Sequence, residues 1–352
     1  MKGRNWQRYA LVAGLLVLAG CGSLGPKTVR EDQVDYGFSV SDSWKNQMLA
    51  NLVKLRYMDM PVFVDVGQIV NGYSLETTVN GTLGFGNTLG GGDSQVLGAT
   101  GKYTDRPTIT YTPKTGNAFL RSLMEPIAPD ALLSLVAVGY NAELLFTWGV
   151  ESVNGVKNYS SNGSRAADPA FLEFTQRLTD LQVTGGIGFE LRTEQDTGRT
   201  LIFFFNDQNE SEATREEHRR ARELLGLDEA RREYSVQYSP FRIGDDVLAI
   251  QTRSILQVLM GMSRFVDVPA DKTARAVPGF QGVTPEHMPF HVNVSRDRPD
   301  DAYASVKYGG DWYWIDHTDL SSKRVFTLMM FMITLTDRSG PDVPPVLTIP
   351  AQ

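Results

Sequence analysis

Apolar residues recur at helical spacing after Asp42-Ser43. Met48, Leu49, Leu52, Val53 and Leu55 form a stripe, and Lys45, Asn46 and Lys54 fall off it. This spacing predicts an amphipathic helix, capped at Asp42 or Ser43 and ending near Tyr57, ahead of Met60-Pro61. The period then changes to two. Val62-Phe63-Val64-Asp65-Val66 reads as a strand. From Val79 to Leu89 the odd positions include Val79, Leu83, Phe85 and Leu89, and the even ones are Asn80, Thr82, Gly84, Gly86 and Thr88. Gly90-Gly91-Gly92-Asp93 reads as a turn, and Gln95 to Tyr103 returns, so residues 79–103 predict a long β-hairpin. Thr108 to Thr112 reads as a separate strand between Pro107 and Pro113.

Helical spacing resumes with Phe119, Leu120, Leu123 and Met124, and again from Ala131 to Val138. Residues 141–154 fit a helix or a strand equally well. Asp168-Pro169 starts a helix on Phe171, Phe174, Leu178 and Leu181. A hairpin follows, Gly188–Arg192 with Thr200–Phe205. Asn209 with Glu212 predicts the cap of a charged helix closed by Gly226. Tyr234–Tyr238 reads as a strand, and Thr252 as the cap of a helix on Ile255, Leu256, Val258, Leu259 and Met262. The next residues, Phe265-Val266-Asp267-Val268, repeat the Phe-Val-Asp-Val after the first helix, but four residues do not establish a duplicated unit. A strand over 289–294, a hairpin of 302–308 with 312–315, an apolar helix over 323–335 and a last strand over 346–349 complete the pattern. Helices and antiparallel hairpins interleave, so the expected class is α+β. The Ser-, Asn- and Gly-rich stretch 158–167 is where two lobes, 39–160 and 165–352, would divide.

The N-terminus follows a different pattern. Lys2, Arg4 and Arg8 precede an unbroken apolar run, Ala10 to Ala19, which leads to Leu18-Ala19-Gly20-Cys21. A basic head, a short apolar middle and small residues at a cut make a secretory signal. The run is about half the ~20 residues a spanning helix needs. The stretch resembles the signal and lipobox of bacterial lipoproteins. The resemblance implies that residues 1–20 are removed, that Cys21 is acylated, and that residues 21–38 tether the lipid to the folded part. In such lipoproteins Asp directly after the acylated Cys retains the protein in the inner membrane. Gly22-Ser23 stands there instead, which implies the outer membrane.

Composition narrows the chemistry. Cys21 is the one cysteine, so after acylation no thiol is left for a disulfide, a thiolate metal site or cysteine catalysis. The net charge is −7, and removing a signal with three cations and no anion takes it to −10. Such a chain is a poor nucleic-acid binder and gains nothing from anionic lipid, so membrane affinity rests on the acyl chains. An apolar share of 41% with 10% aromatics is that of a folded protein.

Gly84-Phe85-Gly86 with Gly90 lacks the spacing and the following helix of a dinucleotide loop. No phosphate loop, paired-His motif or serine elbow is present, so no cofactor, metal site or catalytic residue is assigned. Asp316-His317-Thr318-Asp319 is the one close His/carboxylate cluster. It reads either as an acid–base or metal pair, or as a loop histidine beside an Asp that caps the last helix. Trp312, Tyr313 and Trp314 are the candidate ligand-binding residues, with Trp312 and Trp314 on one side of a strand and Tyr313 on the other. Residues 79–89 and 95–103 match the ~10-residue alternating strands of outer-membrane barrels, although Gly81 and Asn87 thin the apolar side.

Leu52-Val53-Lys54-Leu55-Arg56-Tyr57 with Pro61, Arg106-Pro107-Thr108-Ile109-Thr110-Tyr111, and Tyr313-Trp314-Ile315-Asp316 with Ser322-Lys323 resemble a group of proteobacterial lipoproteins of unassigned function. That resemblance implies an envelope location and supplies no catalytic residues. The expectation is a lipid-anchored, non-enzymatic binding or scaffolding component of a periplasmic or outer-membrane assembly. Its partners would be the membrane, through the acyl chains on Cys21, and an envelope protein, with no nucleic acid. One alternative is an oligomeric pore or export accessory using hairpin 79–103. Another is a hydrolase or carbohydrate-binding protein around His317 and Trp312/Trp314.

Overall fold

The first element is a helix, α1 (Pro26–Arg56), in a computed structural model that describes residues 26–84, 94–114, 117–194, 198–208, 211–280 and 288–336. Its predicted stripe forms one wall of the core: Met48, Leu49, Leu52 and Val53 are all buried. The helix begins well before Asp42, so the expected tether is helical from Pro26 onward. Pro26 suits the first turn, where its missing N–H would be unpaired anyway. The charged residues after it, read as tether, are good helix formers. Lys54 and Arg56 sit in the last turn, where cations suit the helix dipole. Met58 then adopts a left-handed φ of 62° and breaks the helix. Asn51 Oδ1 accepts from the Val62 N–H at 2.9 Å and turns the chain into the next strand.

That strand, β1 (Phe63–Gly84), pairs antiparallel with β2 (Ser94–Lys114) along its whole length, from Phe63 opposite Lys114 to Gly84 opposite Ser94. The strands expected separately at 62–66 and 108–112 pair with each other at the root end of this ladder. The hairpin is therefore about twice as long as the one read at 79–103. A bulge between Val66 and Gln68 shifts the register by one residue. Pro107 and Pro113 lie inside β2, a position open to proline because each strand of a two-stranded ladder keeps one free edge. The expected strand at 85–89 and turn at 90–93 lie outside the described residues.

Three short helices follow: α2 (Asn117–Met124), α3 (Pro129–Ala137) and α4 (Ala142–Gly149). Leu123 of α2 is buried, but Leu120 and Met124 are exposed, so the expected four-residue face is split. The ambiguous stretch 141–154 is both alternatives in turn. Asn141 Oδ1 caps α4 on the Leu144 N–H, and the chain passes directly into β3 (Val150–Val153). The remaining elements are β4 (Val156–Lys157), α5 (Pro169–Thr184), β5 (Ile187–Glu194), β6 (Gly198–Phe205), α6 (Glu212–Leu225), β7 (Glu233–Tyr238), β8 (Val247–Thr252), α7 (Ile255–Ser263), a 3-10 turn (Ala270–Arg275), β9 (Asn293–Ser295), β10 (Ala302–Tyr308), β11 (Asp311–Asp316) and α8 (Leu320–Thr336).

Strands β4-β3-β8-β7-β6-β5 form one sheet in that order, antiparallel except for β7 with β8. The sequence reading missed β8. It is a short continuous apolar run, Val247 to Ile250, buried between two neighbours and so without alternation. Its pairing with β3 carries the sheet across the stretch 158–167, so no division falls there. Asn158 within that stretch is fully buried, and its Nδ2 donates to the carbonyls of Phe146, Thr147 and Val150. Arg253 is likewise buried: it donates to Glu151 Oε2 at 2.9 Å, to the Thr147 carbonyl at 3.0 Å and to the Tyr159 carbonyl. One apolar core runs from Met48 to Met332. The class is α+β.

Several caps differ from expectation. Ser211 accepts at the start of α6, the expected cap Asn209 lies outside the described residues, and Ser254 forms a capping box with Gln257 at α7 in place of Thr252. Phe265–Val268 is not a strand but a loop with one bridge, Val266 to Val292, so the repeated Phe-Val-Asp-Val has two different structures. The apolar helix α8 buries Val325, Phe326, Leu328, Met329 and Met332 yet leaves Phe331 and Leu335 exposed. Among the described residues no helix is long and apolar enough to cross a membrane.

Helices α5 and α6 are clamped by Glu173, which accepts from Arg220 at 2.7 and 3.0 Å and from Arg177 at 3.1 Å. The Arg220 hydrogen bond, aided by Arg177, holds the Glu173 carboxyl down at about 2, against an ordinary 4.5. A depressed carboxylate stabilises the fold fully above its unfolded value and loses that contribution as pH falls towards the folded one. Glu173→Gln should therefore flatten the decline in urea midpoint between about pH 4.5 and 2. Parallel declines in variant and parent would show that the clamp contributes nothing.

Candidate functional site

Hairpin β1–β2 is set apart from the body. Among the described residues no other element lies along it. Its attachment is at the root. Gln47 Nε2 donates to the Val64 carbonyl at 3.0 Å, and the Phe63 ring meets Phe119 edge-on at 5.2 Å. Behind the root, the loop after α1 is fastened to the β10–β11 hairpin. Tyr57 stacks on Tyr308 at 5.7 Å and shares a 2.6 Å hydroxyl contact with Tyr313, and the Tyr308 hydroxyl donates to Asp59.

The register sorts residue types by face. Beyond the bulge, odd positions of β1 lie opposite odd positions of β2, and even opposite even. Successive residues of a strand alternate faces. The odd face therefore carries Leu75, Val79 and Leu83, with Leu97, Ala99 and Tyr103, interspersed with Thr77, Gly81, Gln95 and Gly101. The even face carries Glu76, Thr78, Asn80 and Thr82, with Thr100 and Lys102. Between Leu75–Gly84 and Ser94–Tyr103 every charge falls on the even face, where Glu76 and Lys102 are direct register partners. Tyr103, opposite Leu75, ends the uncharged band on the root side, and the next pair on that face is Tyr73 with Asp105. The sequence reading placed the alternation at 79–89. The register shows it beginning earlier, and it could have been found by testing both strands for one shared period.

The aromatic strand β11 alternates as predicted. Trp312 and Trp314 share the partly open side, whereas Tyr313 is fully buried in the core. Burial, and then the Tyr57 hydroxyl, push the Tyr313 phenol well above its usual range. Tyr313 is therefore a packing residue fastening α1 to β11. The Arg298 guanidinium lies over the Trp312 ring at 5.4 Å. Trp314 Nε1 is buried without a hydrogen-bond partner among the described residues.

His317 is exposed, and the carboxylates beside it are engaged locally. Asp316 Oδ1 accepts from the Thr318 N–H and hydroxyl, both at 2.7 Å, which lowers its carboxyl below the usual range. Asp319 Oδ1 accepts from the Ser322 N–H at 3.0 Å, the helix cap expected from sequence. Among the described residues no cluster of His, Cys, Asp and Glu could hold a metal ion. His291, unremarked in the sequence, places Nε2 3.0 Å from Asp267 Oδ2, and this contact raises its imidazole above 6.5. It borders a groove of about 480 Å3 with Arg264, Phe265, Phe280 and Phe290.

The burial pattern of β11 makes a graded prediction for urea unfolding. Tyr313→Ala should cost about 3–5 kcal/mol, as large aromatic truncations do. Tyr313→Phe should cost about 1 kcal/mol for one hydroxyl contact. Trp312→Ala should cost less than Tyr313→Ala, since its cation–π contact is worth roughly 0.5–1 kcal/mol. Equal costs at Trp312 and Tyr313 would contradict the assignment of the two faces. No family model, curated protein or solved structure matches this chain.

Proposed function

We propose that this chain is a lipid-anchored cell-envelope protein, held at the outer membrane by acyl chains on Cys21, whose folded body is a non-enzymatic assembly component on the periplasmic side. The observation that carries the reading is hairpin β1–β2, a long ladder whose attachment among the described residues is at its root. An element of that shape has no use within its own body and suits contact with something outside it. The lipobox-like Leu18-Ala19-Gly20-Cys21 supports the anchor. Several acyl chains at ~0.8 kcal/mol per buried methylene make attachment effectively permanent. The hydrolase reading has less behind it, because Asp316 and Asp319 are spent on the backbone beside His317.

Growth with labelled palmitate tests the anchor. The parent chain should carry label and fractionate with membranes. Cys21→Ser should carry none and leave the membrane fraction. Label persisting in Cys21→Ser, or an unlabelled parent, would overturn the lipid anchor. An assembly role predicts that the parent, but not a variant with residues 68–110 replaced by a short turn, migrates in a high-mass complex after mild detergent extraction.

A further inference from the structure

The two edges of the hairpin are the open question in the molecule. A two-stranded ladder alone is marginal in water, and its outer edges carry unpaired N–H and C=O groups. In hydrocarbon those groups cannot stay unpaired, so a membrane-crossing sheet must close into a barrel. One copy supplies two strands, and the smallest such barrels have about eight. The ladder also has the dimensions of a membrane band. From Leu75 to Gly84, at ~3.3 Å per residue, the ladder covers about 30 Å, close to the tilted strand length a bilayer needs. That band is uncharged on one face, with Thr77 and Gln95 among its apolar and small residues, and polar on the other except for Val96 and the glycines. Tyr103 ends it where an interfacial aromatic girdle would sit, and the next pair on that face is Tyr73 with the charged Asp105.

From these placements we infer that the hairpins of several copies of this chain pair edge to edge, β1 of one beside β2 of the next, and close into a transmembrane β-barrel. The face of Leu75, Val79, Leu83, Leu97, Ala99 and Tyr103 lies against lipid. The face of Glu76, Thr78, Asn80, Thr82, Thr100 and Lys102 lines a water-filled lumen. The inference rests on the proposed envelope location and names the partner, further copies of the same chain. A head-to-tail ring suits this because β1 and β2 are of nearly equal length, so every edge finds a mate under rotational symmetry. Lengths agree as well. Helix α1, with 31 residues, spans about 46 Å, and the ladder from Phe63 to Leu75 spans about 40 Å. A chain anchored at Cys21 can therefore reach the same bilayer with its uncharged band. On the lumen face Glu76 and Lys102 would alternate around the ring, a neutral pairing.

The test uses the full lipidated protein in vesicles of phosphatidylethanolamine and phosphatidylglycerol. Acylation consumes the native thiol, so a single introduced cysteine is the one reactive site, and reactivity of the parent reads the anchor separately. Thr78→Cys, Asn80→Cys and Thr82→Cys should react with a charged, membrane-impermeant thiosulfonate roughly tenfold or more faster than Val79→Cys and Leu83→Cys, because only the lumen is wet. The parent should conduct ions across a planar bilayer, and modification at Asn80→Cys should reduce that conductance. Val79→Arg should cut barrel yield roughly 30-fold, whereas Thr78→Arg, one residue away, should keep the yield and shift ion selectivity. Equal reactivity along 75–83, or no conductance from chains whose bodies unfold like the parent's in urea, would overturn the barrel. So would protection of the odd positions by a different captured protein. A reactive thiol in the parent, with conductance intact, would instead remove the anchor and leave the barrel standing.

Discussion

Everything distinctive about this chain depends on a ladder of hydrogen bonds with two unfinished edges. Within the body β8 is paired on both sides, by β3 and β7, and Asn141, Ser211 and Ser254 cap three of the helix starts. The hairpin satisfies only its inner side. Backbone polar groups are obligatory partners, and among the described residues the hairpin meets the body at its root, which is why we read its edges as the place where another molecule pairs. In the proposed barrel that requirement becomes absolute, and the charges at Glu76 and Lys102 mark the face that would stay wet.

The body makes the hairpin usable by holding its root rigid. Tyr57, Asp59, Val62 and Phe63 follow one another along the chain and are each fixed by a different contact, to Tyr313, Tyr308, Asn51 and Phe119. The aromatic strand, which in sequence suggests a ligand face, therefore spends its central residue on this fastening. The His317 loop is spent in the same way, on turns and a helix cap. What first reads as chemistry is the local bonding that every folded chain requires.

Much of the fold was legible because burial follows period. The stripe of α1, the face of α5 and the alternation of β11 are all where their apolar residues put them. Misreadings came where that signal fails. A strand paired on both sides, such as β8, is apolar throughout and shows no alternation. Caps at Ser211 and Ser254 lay beside other good cap residues, and local sequence does not choose between them. The tether read at 21–38 is helical from Pro26 onward, where Lys27, Arg30 and Glu31 are good helix formers. The hairpin was found but cut short, because Pro107 and the polar residues near Gly72 look like breaks until the register shows both strands continuing through them. Buried Arg253 had no signal at all, since its partners on Glu151, Thr147 and Tyr159 come from a distant part of the sequence.

The most direct measurement is the mass of the lipidated protein, extracted in mild detergent, by light scattering corrected for bound detergent. Closure of two-stranded hairpins into a barrel predicts a single ring-sized species of at least about four copies. Monomers at all protein concentrations, with the body folded, would contradict it.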